Sequence, residues 1–92
     1  MDSERPDAAT VALMALSWVL SDDDRAQRLL SLTGMDPDHL RFALSDPSVL
    51  GSVLDFLANH EGDLMAASEA LSLSPESIIA ARNVLAPPDY EM

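Results

Sequence analysis

Apolar residues recur at helical spacing along nearly the whole chain, broken at short intervals by proline, glycine and acidic runs. No stretch alternates as a strand would. From an Asp7 cap to Leu20, the residues Val11, Leu13, Ala15, Leu16, Trp18, Val19 and Leu20 leave a narrow polar stripe through Thr10, Ser17 and Ser21. A helix apolar over most of its circumference belongs inside a bundle. Met14 falls on the polar stripe, so it is partly exposed or touches a partner.

The next helix is expected to be capped by Ser21, with Asp22, Asp23 and Asp24 in its first turn, where carboxylates meet the positive end of the helix dipole. Ala26, Leu29, Leu30 and Leu32 supply its buried face, and Gly34 ends it in the left-handed conformation, with Met35 folding back. Asp36-Pro37 starts a third helix, with Leu40, Ala43 and Leu44 inward, and Asp46-Pro47 repeats the device. Leu50, Val53, Leu54 and Leu57 then stand at i, i+3, i+4 and i+7, the cleanest amphipathic pattern in the chain. "ANHEGD" reads as a loop; Leu64, Ala67 and Leu71 mark a fifth helix, and Ser74-Pro75 opens a sixth with Ile78, Ala81 and Leu85 inward.

The pattern predicts an all-α fold, a compact bundle of five or six short helices. Residues 7–85 form the single domain, between a flexible N-terminus, 1–6, and a flexible tail, 86–92. A shift of 38 residues lays Val11 on Val49, Leu16 on Leu54, Trp18 on Phe56, Met35 on Leu73 and Asp36-Pro37 on Ser74-Pro75. A degenerate helix-turn-helix-like repeat and repeated use of one helix-loop-helix device both account for this echo.

Ninety-two residues suffice for one small core. Sixteen acids against five arginines, with no lysine, give a net charge of -11. Phosphate backbones and anionic membrane surfaces repel such a chain, so neither nucleic acid nor membrane is expected as a partner. The absence of cysteine excludes a disulfide framework and a catalytic thiol and suits a reducing compartment, so a cytoplasmic location is expected. The apolar run from Val11 to Leu20 is half the roughly 20 residues needed to span a bilayer.

The stretch "SEALSLSPESIIAAR" has the spacing of a helix-turn-helix, but its neighbourhood is net negative, and a recognition helix needs cations that grip phosphate. "SDDD", "MDPD" and "HEGD" lack the alternating ligands and glycine turn of a calcium loop, and capping explains them. His39 and His60, 21 residues apart, lack zinc-site spacing and are expected at helix ends. No catalytic, cofactor-binding or metal-ligating residue is therefore assigned, and the chain is not expected to be an enzyme. Surplus apolar residues are either covered by a neighbouring helix or presented to a partner. On that ground Met14, Trp18, Phe42 and Phe56 are the candidate partner-binding residues. The leading expectation is a non-enzymatic protein-interaction domain with a basic or apolar partner. A helix-turn-helix-like nucleic-acid binder is the alternative, and a small enzyme the weaker one.

From Ala12 to Leu85, with "ALSW", "LTGMDPDHLR", the following "DP" start and "VLDFL" as its most specific pieces, the chain resembles a family of small acidic bacterial proteins, domain of unknown function 3572. The resemblance implies a small cytoplasmic bacterial domain and brings no catalytic or binding residue with it. Ser72 departs from the family pattern, in which glycine is commoner, and this weakens the case for a left-handed helix end there.

Overall fold

The computed structural model describes residues 7–41 and 46–85. Phe42, Ala43 and Leu44, and the termini 1–6 and 86–92, lie outside the described residues. Six helices follow one another among the described residues: α1 (Ala8–Leu20), α2 (Asp23–Thr33), α3 (Pro37–Arg41), α4 (Pro47–Ala58), α5 (Glu61–Leu71) and α6 (Pro75–Leu85). The fold is an all-α bundle, and no helix among the described residues is long and apolar enough to cross a membrane.

Local chemistry sets the helix starts. The Asp7 carboxylate accepts the Thr10 N–H at 2.8 Å and caps α1. Hydrogen bonding from Thr10, chiefly by its backbone N–H, holds the Asp7 carboxyl below the usual aspartate range. Asp46 caps α4 by accepting the Ser48 N–H at 3.0 Å, with Pro47 at the first helical position, where its missing donor has no partner to lose. α3 and α6 likewise begin on Pro37 and Pro75.

Three helix ends differ from the sequence expectation. Asp22 rather than Ser21 caps α2, because the Ser21 hydroxyl is turned back to donate to the Trp18 carbonyl at 2.7 Å while Asp22 accepts the Asp24 N–H at 3.1 Å. "ANHEGD" is not a loop: only Asn59 and His60 link α4 to α5, and Glu61 and Asp63 occupy the first turn of α5, where the dipole favours them. Ser72 does end α5 in the left-handed region at φ 57°, as Gly34 ends α2 at φ 76°. Two bonds hold Ser72 there, from its own N–H to the Glu69 carbonyl and from the Leu73 N–H to the Ser68 carbonyl, the pairing of a Schellman end. An L-residue is strained in that conformation. Ser72→Gly is accordingly expected to raise stability by about 0.5–1 kcal/mol, read as a melting temperature roughly 2–6 °C higher in thermal unfolding.

α1, α4 and α6 pack against one another at the centre, α5 packs against all three, and α2 lies on α1 and α4. The core comprises Val11, Ala12, Ala15, Leu16 and Val19 of α1, six residues of α4, and Leu29, Leu64, Ala67, Ile78 and Ala81. Leu50, Val53, Leu54 and Leu57 are buried as their spacing requires. Leu20 and Leu32 are not: they stand 44% and 57% exposed near helix ends, while Ala12 and Ala67 are fully covered.

The 38-residue echo extends to the structure. Shifted by 38, α2 (23–33) coincides with α5 (61–71), the start of α3 at 37 with that of α6 at 75, and the left-handed Gly34 with Ser72. The five buried positions of α1 map onto Val49, Leu50, Val53, Leu54 and Leu57, all buried. Contacts across the halves also exchange: α2 lies on α4, and α5 lies on α1. The halves are two three-helix units paired through α1 and α4, differing most in the third helix, which packs centrally only as α6.

Candidate functional site

Three of the four candidate partner-binding residues lie among the described residues. Met14 is partly buried on α1. Trp18 lies partly buried beneath Arg25, whose guanidinium carbon stands 3.8 Å from the ring centroid. Arg25 ties the α1–α2 corner: it donates to the Trp18 carbonyl at 2.9 Å and to Ser21 Oγ at 3.0 Å, and it pairs with Asp22 at 3.3 Å. Phe56 is 3% exposed and belongs to the core. Phe42 lies outside the described residues. The exposed large apolar residues among those described are Leu20, Leu32, Met65 and Val84, spread over four helices.

On α4 the residues Ser48, Ser52, Asp55 and Asn59, at i, i+4, i+7 and i+11, share one face. The end of α2, and Met35 just beyond it, run beside that face and leave two open cavities against it. One, of about 270 Å³, has Leu32 and Thr33 on one wall, Ser52, Asp55 and Asn59 on the other, Phe56 beneath and His60 at the end. The second, of about 240 Å³, continues past Ser52 to Ser48, Val49, Asp46 and Met35. Ser52 lines both, so they form one groove. Sequence reasoning missed it because α2 and α4 meet only in the tertiary structure; the polar stripe on α4 was the available signal.

The hydroxyls of the groove donate within the chain, and Thr33 Oγ1 also accepts the Met35 N–H at 3.3 Å. Ser48 Oγ donates to Asp46 at 2.8 Å, Ser52 Oγ to the Ser48 carbonyl at 3.0 Å, and Thr33 Oγ1 to the Leu29 carbonyl at 2.6 Å. Asn59 donates from Nδ2 to Asp55 at 3.2 Å, and the other Asp55 oxygen accepts Arg82 Nε at 3.0 Å. His60 Nδ1 lies 2.6 Å from the Phe56 carbonyl. A carbonyl only accepts, so Nδ1 carries the hydrogen.

Each arginine among the described residues has a carboxylate partner. Arg25 pairs with Asp22, Arg28 with Asp63, Arg41 with Asp38 and Arg82 with Asp55. Arg28 also lies over Phe56, 5.9 Å from the ring centroid. At the helix-turn-helix-like corner, α6 turns Ile78 and Ala81 into the core and Arg82 onto Asp55, so its exposed positions are Glu76, Ala80, Asn83 and Val84. An open apolar cavity of about 330 Å³ lies beside Pro75, Ile79 and Ala80 on that helix. No group of three or more histidine, aspartate or glutamate side chains able to hold a metal ion occurs among the described residues.

Fold and surface together define a small acidic helical bundle with an acceptor-lined groove. By sequence the chain belongs to the family described as Protein of unknown function (DUF3572), whose model matches residues 5–88. No curated protein and no solved structure matches it.

Proposed function

We propose that the chain is a non-enzymatic protein-interaction domain of the cytoplasm that takes a basic partner. The observation that carries this reading is the disposition of charge. Twelve carboxylates and four arginines occur among the described residues, and each arginine is already paired with a carboxylate. The excess acid sets the outward field, and such a field attracts cations and steers their approach. Half-exposed Leu32 and Met65 offer apolar contacts of the kind an interface desolvates. The same charge disfavours a nucleic-acid backbone, because every acid near α6 subtracts from the electrostatic term that dominates such binding.

The test is capture on the immobilised full chain at low salt, with the retained proteins identified by mass spectrometry and eluted by a salt gradient. The expected result is a retained set enriched in basic proteins and released as salt rises. A retained set no more basic than the input, or nothing above a blank matrix, overturns the reading.

A further inference from the structure

We infer that the groove between α2 and α4 is a seat for an arginine side chain of a basic protein partner. The inference rests on the reading above and locates its contact. Ser48, Ser52 and Thr33 have their single donors engaged within the chain, and Asn59 has one of its two engaged on Asp55. What remains to them is mainly oxygen lone pairs, joined by the Asp55 carboxylate and set beside the second N–H of Asn59. A ligand that complements such a surface is rich in donors and has no acceptor, and guanidinium, with five N–H donors and none, is the side chain of that description. The Asp55 carboxylate and the oxygen lone pairs disfavour an anion or a phosphate there. Leu32, 57% exposed, supplies apolar surface for the aliphatic stem. Asp55 already receives one guanidinium, that of Arg82 at 3.0 Å, from within the chain, which shows the geometry to be suitable.

The comparison of the two units supports a role beyond packing. Under the 38-residue shift, Ser48, Ser52, Asp55 and Asn59 correspond to Thr10, Met14, Ser17 and Ser21. Packing positions keep their apolar character between the halves, whereas this face does not keep its chemistry. The bundle therefore does not demand a carboxylate and a carboxamide on α4.

The experiment measures fluorescence anisotropy of a labelled arginine-rich peptide with the full chain at low salt, for three single variants. Ser52→Arg places a cation where the two cavities join, and Leu32→Arg places one on the opposite wall, at a site exposed enough to leave the core intact. Asp24→Asn makes a charge change equal to these at the far end of α2. The expected result is a loss of affinity of about tenfold or more in both groove variants and of less than about twofold in Asp24→Asn. Equal weakening in all three reduces the attraction to net charge and overturns the seat while leaving the basic-partner reading intact. Failure of the wild-type chain to bind the peptide overturns both. Spermidine binding as tightly as the peptide reassigns the groove to a free polyamine and overturns the protein-partner assignment.

Discussion

Replacing Ile78 by alanine is expected to lower the unfolding free energy by about 2–5 kcal/mol, the larger of the two stability losses argued here. For a domain of this size that is roughly 10–30 °C of melting temperature, and a large part of a total stability of roughly 5–14 kcal/mol. Ile78 is fully buried on α6, the helix that packs on both α1 and α4 and so bridges the two units. The core it belongs to is built partly from Ala12, Ala15 and Ala67, each fully covered. Alanine on facing helices lets backbones approach closely, and backbones cannot collapse into a vacated volume as a leucine side chain can. The cavity term therefore adds to the lost transfer energy instead of being relieved. Val84→Ala, on the same helix but 68% exposed, serves as the control. It is expected to change stability by less than about 0.5 kcal/mol. Chemical denaturation of both variants, with unchanged slope in the alanine-78 protein, checks the expectation. Similar midpoints for the two would mean that α6 is not a bridge.

The parts of this fold legible in the sequence are those set by neighbours in the chain. Asp7, Asp46-Pro47 and Gly34 act through atoms two to four residues away, so their types and spacing are enough to locate a helix end. The four-residue apolar stripe of α4 is legible because a helix central to the bundle buries every member of such a stripe. Ser21 and Asp22 show the limit: both can cap, and the choice falls to Arg25, which draws the Ser21 hydroxyl into the corner beneath Trp18. Leu20, Leu32 and Met65 could not be separated from core leucines because apolar type does not say which arc of a helix meets a neighbour. The groove shares that origin. Its walls come from residues about twenty positions apart, brought together because Leu29 anchors α2 across α1 and α4.

That anchor leads to the second large effect. α2 has a single fully buried residue, Leu29, against five in α1 and seven in α4. Its remaining attachments are the Arg25 cluster on Trp18 and the Arg28–Asp63 pair over Phe56, the latter partly exposed and of the kind that contributes at most about 1 kcal/mol. Leu29→Ala is therefore expected to cost about 2–4 kcal/mol, with much of the loss appearing as detachment of α2 rather than as unfolding of the whole bundle. Native-state hydrogen exchange distinguishes the two. The amides of Leu30 to Thr33 should exchange at a free energy well below that of Val53 to Leu57 in the variant, whereas global unfolding would lower both sets together. The α2 wall carries Leu32 and Thr33, so the variant should also lose affinity for the arginine-rich peptide while α1, α4 and α6 stay folded. Uniform exchange across all helices would show α2 to be integral to the core, despite its one buried side chain.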